Sequence, residues 1–172
     1  MPKTFYLLRH ADPEPRGNVQ DHDRHITKRG SQEAMAIARL MQENQWLPEV
    51  VQCSTANRTR DTLAQVLHAW DRKDIPVQYH KTLYLPSAGQ LLEHLRQFDD
   101  QYTRAMIVAH NPGVTQACRF LAGMSTPEAE DALIMGFPTA GLACFTFPEE
   151  SWQAINPGSG FLECLIGPGT TL

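Results

Sequence analysis

Two arginines and two histidines are the residues of this sequence whose types and spacing could do chemistry together. Arg9 and His10 are adjacent near the start of the chain, Arg58 lies in its first half and His110 in its second. Two guanidinium groups can hold the oxygens of a phosphoryl group through paired hydrogen bonds. One imidazole can attack phosphorus and form a covalent phosphohistidine, and a second, if protonated, can donate to the charged oxygens. The four residues predict phosphoryl-transfer chemistry, provided that the fold gathers them.

The segments that precede these residues have strand character, which supplies a way to gather them. Apolar runs predict strands over residues 4–8, 50–53, 77–80, 105–109 and 142–147. Because ligands of parallel α/β sheets bind at the carboxyl ends of the strands, residues that follow different strands can share one pocket. Residues beyond 152 show no clear pattern and are expected to be irregular.

Helical patterns alternate with these strands. Apolar residues at helical spacing predict helices over 31–45 and 59–70, and a capping-box sequence predicts another that begins after Ser87. A further helix is expected to begin at Asn111-Pro112, with the asparagine as cap and the proline in the first position, and to end at Gly123. This alternation predicts a three-layer α/β/α fold, with a mostly parallel sheet and helices on both faces, in one domain of residues 1–172.

Composition excludes several classes of protein. With 42% hydrophobic and 20% charged residues, the chain is predicted to fold rather than to be disordered. A net charge of −4 argues against nucleic acid or an anionic membrane as a partner. No apolar run is long enough for a membrane span or a signal peptide, so a cytoplasmic location is expected. The four cysteines match no zinc spacing and are expected to be reduced and mostly buried.

Five segments resemble the histidine phosphatase superfamily, whose members have a phosphoglycerate mutase-like fold. Residues 8–11 look like its N-terminal Arg-His motif, residues 54–62 like its Ser-x-x-x-Arg-x-x-x-Thr segment, and residues 108–113 like its second-histidine motif. Residues 21–30 and 137–141 are similar to segments of the small SixA-type phosphohistidine phosphatases. The five segments occur in the same order as in that family and span most of the chain.

The resemblance implies a role for each matching residue. His10 is the expected nucleophile, which carries the phosphoryl group transiently. Arg9 and Arg58 are expected to hold the phosphate oxygens, and His110 to stabilise the transferring group. For His10 to attack, one ring nitrogen must be unprotonated, and the other should donate to an acceptor that fixes the tautomer.

Two further residues of the matching segments, Arg24 and Asn111, are expected to bind substrate. Arg24 matches an arginine of the SixA-type pattern, although an exposed loop arginine is an equally good interpretation. Ala11 replaces a glycine that is usual in the superfamily, with little effect expected from one methyl group. Asp61, three residues after Arg58, is expected either to pair with that arginine or to face solvent.

The proton donor for the leaving group is the least defined member of the site. Many superfamily members carry a carboxylate after the third strand, but residues 81–87 contain none here. The first loop offers Asp12, Glu14, Asp21 and Asp23, and Asp21 is the first choice because it matches an aspartate of the SixA-type pattern. An imidazole leaving group is far less basic than an alkoxide, so the missing carboxylate favours a substrate with a nitrogen–phosphorus bond.

Together with these residues, the resemblance implies a phosphatase that needs no metal or cofactor. The expected substrate is phosphohistidine on a signalling protein of the histidine phosphotransfer type; a small phosphate ester, or phosphate binding without turnover, are the alternatives. The 172 residues leave little room for the insertions of a mutase. A metal hydrolase built on residues 21–25 is a weaker alternative, as is a cysteine phosphatase, since only four residues separate Cys53 from Arg58.

Overall fold

Seven strands form one sheet through the middle of the computed structural model, which describes all of residues 1–172. In chain order they are β1 (Lys3–Arg9), β2 (Val50–Ser54), β3 (Val77–His80), β4 (Arg104–Ala109), β5 (Ala122–Ser125), β6 (Leu142–Phe147) and β7 (Gly160–Ile166). Across the sheet their order is β3-β2-β4-β1-β6-β7-β5. The first four of these are mutually parallel, β6 is antiparallel to both of its neighbours, and β5 is parallel to β7.

Five helices cover the two faces of this sheet: α1 (Lys28–Glu43), α2 (Asn57–Trp70), α3 (Ala88–Arg96), α4 (Gly113–Leu121) and α5 (Pro127–Met135). Side chains of α1 and α2 pack into a core of 20 buried residues on one face, and those of α3, α4 and α5 into a core of 25 on the other. Alternate residues of β1 enter different cores, with Leu7 in the larger and Leu8 in the smaller. The predicted three-layer, mostly parallel α/β fold is confirmed.

Local sequence explains where the helices begin. The capping box at Ser87 is present as predicted, with the Ser87 hydroxyl accepting from the backbone N–H of Gln90 at 3.1 Å. Helix α1 begins three residues before the predicted Ser31, because Thr27 caps it by accepting from the N–H of Gly30 at 3.0 Å.

Helix α4 corrects one prediction. It begins at Gly113 rather than at Pro112, which is the cap residue and follows a cis peptide bond. Asn111 therefore lies before the helix, and its side-chain oxygen accepts from the N–H and the hydroxyl of Thr115. The helix ends at Leu121, two residues before the predicted glycine.

The last third of the chain holds elements that were not predicted. Strand β5 and helix α5 lie where no element was predicted. Strand β7 lies beyond residue 152, so the expectation that this part of the chain is irregular is wrong for Gly160–Ile166. No helix combines the length and the apolar character that crossing a bilayer would require.

Candidate active site

Three parallel strands end side by side and bring the predicted residues together. Arg9 of β1 lies opposite Ala109 of β4, and Cys53 of β2 lies opposite Val108, so the residues that follow these strands emerge at one edge. The rings of His10 and His110 are 5.3 Å apart between centroids. Their exposed fractions are only 5% and 0%, which places both imidazoles below the surface.

The ring of His10 is held in one tautomer. Its Nδ1 lies 2.8 Å from the carbonyl oxygen of Ala11, and because a carbonyl only accepts, Nδ1 carries the proton. The other nitrogen, Nε2, therefore keeps a lone pair. Burial, opposed in part by the bond to Ala11 and reinforced by nearby arginines, lowers the pKa of His10 to about 4. At neutral pH the ring is uncharged and oriented, as a nucleophile must be.

His110 is also uncharged, which changes its expected role. Burial, together with the adjacent His10 and Arg58, lowers the pKa of His110 to about 2. Its Nε2 lies 2.8 Å from the Ser54 hydroxyl, which itself accepts from the N–H of Ala56. The Ser54 hydroxyl can donate to Nε2, in which case the proton is on Nδ1, which is buried and has no partner in the protein. His110 can thus donate a hydrogen bond without being protonated, whereas the sequence suggested a charged donor.

The guanidinium of Arg9 is anchored to the segment that precedes β6, the strand next to β1. Its Nη1 donates to the carbonyl oxygen of Phe137 at 2.7 Å. The turn that follows Phe137 is joined to β1, because Ala140 donates to the carbonyl of His10 at 2.9 Å and Arg9 donates to that of Gly141 at 3.0 Å. The chain before β6 therefore fixes both residues of the Arg-His pair.

Arg58 lies in the first turn of α2 and faces the first loop. Its Nη1 donates to the backbone carbonyl of Asp21 at 2.6 Å, and its Nη2 to the carboxylate of the same residue at 2.9 Å. Thr62, one turn further along α2, accepts from the N–H of Ala11 and donates to the carbonyl of Arg58. Helix α2 is thereby tied to the residues that follow β1.

Asp21 does not have the properties of the predicted acid. Its carboxylate accepts from the hydroxyl of Tyr84, from Arg24 at 3.0 Å and from Arg58 at 2.9 Å. These bonds, that of Tyr84 above all, hold the pKa of Asp21 well below its usual range. An ionised carboxylate has no proton to give, so the geometry does not support Asp21 as the proton donor.

The remaining predicted residues have mixed outcomes. Arg24 is half-buried rather than an exposed loop residue, and it is oriented toward the site by its bonds to Asp21 and Glu14. Asn111 uses its oxygen within its own segment, which leaves its amide N–H groups for any substrate. Asp61 does not pair with Arg58; it is partly exposed and accepts from His25 at 2.8 Å.

The structure supports neither a metal site at residues 21–25 nor Cys53 as a nucleophile. Asp21 pairs with arginines, His25 with Asp61, and His22 lies 2.8 Å from the hydroxyl of Thr55, so these side chains do not face a common centre. No group of three His, Cys, Asp or Glu side chains in the chain is arranged to hold a metal ion. Cys53 is buried, and burial raises the pKa of its thiol to about 12, which makes it a poor nucleophile. All four cysteines are free thiols, and three are buried.

Two residues at the site were not found from the sequence. Tyr84, in the segment after β3 that contains no carboxylate, contacts Asp21 and lies edge-on to His110 with 5.3 Å between ring centroids. Glu33 of α1 accepts from the N–H of Asp12 at 2.8 Å and from the hydroxyl of Thr139. Glu33 therefore joins the segments that follow β1 and precede β6. Neither residue belongs to a motif with a distinctive spacing.

Comparison with known proteins places this geometry in a family. A sequence profile of the histidine phosphatase superfamily (branch 1) matches residues 5–103, more than half of the chain. The protein belongs to the histidine phosphatase superfamily. An uncharacterized protein of Mycobacterium tuberculosis, Rv1276c, is 31% identical over 157 residues, which cover 90% of this chain and 96% of that protein.

Solved structures identify the branch of the superfamily. A candidate phosphohistidine phosphatase SixA from Nakamurella multipartitia superposes with a TM-score of 0.85 at 25% identity, covering 99% of this chain and 98% of that one. A second candidate SixA, from Agrobacterium tumefaciens, has a TM-score of 0.74 at 29% identity over 86% of this chain and 93% of that one. The predicted likeness to the SixA-type group is confirmed, and these similarities support a phosphatase activity.

Proposed function

We propose that this protein removes the phosphoryl group from phosphohistidine on another protein, through a covalent phosphohistidine on His10. The observation that carries the proposal is the state of His10, which is buried, uncharged and fixed in the tautomer that leaves Nε2 unprotonated. The positive charges of Arg58 and Arg9 are near enough to lower the pKa of His10 further. A nucleophile beside fixed positive charge suits attack on an anionic phosphoryl group.

The reaction needs two displacements at phosphorus. In the first, the lone pair of His10 Nε2 forms a bond to phosphorus while the bond from phosphorus to the substrate nitrogen breaks and its electron pair stays on that nitrogen. The other nitrogen of the substrate ring carries a proton, so the ring leaves as neutral imidazole. In the second, water attacks the same phosphorus, the bond to Nε2 breaks, and phosphate departs as the proton of the water is released. The guanidinium groups of Arg9 and Arg58, Arg24 and the N–H of His110 would hold the equatorial oxygens in both steps.

The ionised state of Asp21, the first-choice proton donor, favours a nitrogen–phosphorus bond over an ester. An alkoxide leaving group needs a proton as it departs, whereas the conjugate acid of imidazole has a pKa of about 6.5. Asp21 is ionised in this site, and the segment after β3 supplies a phenol instead of a carboxyl group. The SixA assignments of the similar structures also support a phosphohistidine substrate. A small phosphate ester remains the second candidate.

Paired turnover tests the substrate and the nucleophile together. We expect a phosphohistidine-bearing histidine phosphotransfer protein to be hydrolysed with a kcat/KM at least ~100-fold above that of alkyl phosphates, since only the latter need strong proton donation. His10→Ala should abolish turnover of both, measured as phosphate release.

The matched control is His68→Ala, because His68 is an exposed histidine of α2 and should leave turnover unchanged. Preference for one small ester would replace the proposed substrate by the second candidate. Turnover that survives in His10→Ala would end the covalent mechanism, and no turnover of any substrate by the wild type would favour a phosphate-binding module.

A further inference from the structure

Tyr84 lies among the site residues although no motif pointed to it. It directly follows a short 3-10 turn (Lys81–Leu83) that begins where β3 ends. The centroid of its ring is 5.3 Å from that of His110 and 4.9 Å from that of His22, both edge-on. The guanidinium carbon of Arg58 lies 5.7 Å from the same ring. These contacts on three sides fix the ring, and with it the position of the phenolic hydroxyl.

The carboxylate of Asp21 marks where an anion is stabilised. Its Oδ2 accepts from both Tyr84 and Arg58, and its Oδ1 accepts from Arg24. Two guanidinium groups and a hydroxyl thus converge on one group with two oxygens and one negative charge. A phosphoryl group offers the same donors more oxygens and more charge, and charge-assisted bonds of this kind are the strong ones.

We propose that Tyr84 is a further substrate-contacting residue, whose hydroxyl holds the same phosphoryl oxygen as Arg58 once the substrate displaces the Asp21 carboxylate. This inference rests on the proposed function, because it assigns Tyr84 to the same phosphoryl site. Arg58 and Tyr84 donate to the same oxygen, Oδ2 of Asp21. A phosphoryl oxygen that takes the position of Oδ2 is therefore within reach of both donors.

The chemistry of a phenol suits this role. Burial and the bond to Asp21 raise the pKa of Tyr84, so its hydroxyl stays protonated and can donate to an anion. A neutral donor also adds no charge that would have to be neutralised when the site is empty. Tyr84 occupies the segment in which many superfamily members carry a carboxylate, and here that segment contributes a hydrogen bond to phosphate instead.

Asp21 then acts as an internal competitor for the site. Its carboxylate must leave Arg58, Arg24 and Tyr84 before a phosphoryl group can take the same donors. Removing its charge should therefore strengthen the binding of phosphate, whereas a residue that only oriented Arg58 would weaken binding when altered.

The test measures the dissociation constant of inorganic phosphate by calorimetry, which needs no turnover. We expect Tyr84→Phe to raise this constant a few-fold in the otherwise unchanged protein, because the hydroxyl gives up its bond to Asp21 when it binds phosphate. Asp21→Asn should lower the constant several-fold. In the Asp21→Asn background, where no bond to a charged carboxylate is given up, Tyr84→Phe should raise the constant about 10-fold. The matched control is Tyr79→Phe, because Tyr79 is an exposed tyrosine of β3 that packs on Arg60, outside the site.

Three results would overturn the inference. The first is that Tyr84→Phe binds phosphate as tightly as the Tyr79→Phe control. The second is that the effect of Tyr84→Phe is absent in the Asp21→Asn background, which would mean that Tyr84 acts only by holding Asp21. The third is that Asp21→Asn weakens binding, which would make the carboxylate a positioning group for Arg58. These results do not depend on which substrate the enzyme hydrolyses. If phosphohistidine is not the substrate, the turnover measurements show it, and the dissociation constants of phosphate are unaffected.

Discussion

The state of His10 follows from its surroundings rather than from its type. An imidazole in water has a pKa of about 6.5 and is partly charged at neutral pH. Here burial is the largest cause of a lowered pKa, and the positive charges of Arg58 and Arg9 lower it further, so the pKa of His10 falls to about 4. The bond from Nδ1 to the carbonyl of Ala11 then decides which nitrogen can attack. The sequence indicated that such an acceptor was needed. It could not identify the acceptor, because every residue has a backbone carbonyl.

The pH dependence of the enzyme tests this account of His10. Because only the neutral ring attacks, the acid limb of kcat/KM should fall with an apparent pKa near 4, and the ring of His10 should titrate there by NMR. Between about pH 6.5 and 4 the unfolded chain binds more protons than the folded one, so the free energy of unfolding should decrease as the pH is lowered through that range. A His10 titration near 6.5 would contradict the account.

At the scale of elements, the site depends on how closely the segment after β3 packs against α4. A β-carbon added to Gly113, the first residue of α4, would meet the backbone carbonyl of Pro86 closer than real atoms approach. Pro86 lies two residues after Tyr84, so the absence of a side chain at Gly113 allows the tyrosine segment to reach His110. Gly113 is therefore required by the contact between α4 and the segment after β3, not by the conformation of α4 alone.

Gly113→Ala is therefore expected to destabilise the fold and to disturb the site at once. Forcing a methyl group into a closely packed contact costs roughly 1–3 kcal/mol, which thermal unfolding measures directly. The dissociation constant of phosphate should rise in parallel, because Tyr84 moves with Pro86. Gly89→Ala is the matched control, since the nearest atom to its added β-carbon is the Ser87 hydroxyl oxygen at 3.9 Å. Equal stability of the two variants would show that the segment adapts without cost.

For the whole molecule, the sequence predicted the half of the sheet that carries the nucleophile better than the other half. Strands β1 and β4 contain continuous apolar runs, and β2 is buried throughout, because helices cover both of their faces. Strand β7 was missed because Glu163 interrupts its apolar residues, at the place where its register with β6 shifts. Strand β5 has only four residues, two of them exposed, so it shows no strand pattern.

The same division applies to the site. Arg9, His10, Arg58 and His110 follow or adjoin strand ends, so the topology alone brings them together. The partners that set their chemistry were not predictable in this way. The pairing of Asp21 with Arg58 and Tyr84 depends on the path of the first loop and of the segment after β3, and neither path is encoded in periodicity or spacing.

The central claim is that the phosphoryl group passes through His10. Rapid acid-free quenching of the protein with a phosphohistidine substrate, followed by mass spectrometry of the intact chain and its peptides, tests it most directly. We predict a transient gain of one phosphoryl group on the peptide that contains His10, which is stable to alkali and lost in acid, and which does not form in His10→Ala. Hydrolysis with no phosphorylated enzyme at any time, or a phosphoryl group on another residue, would contradict this account.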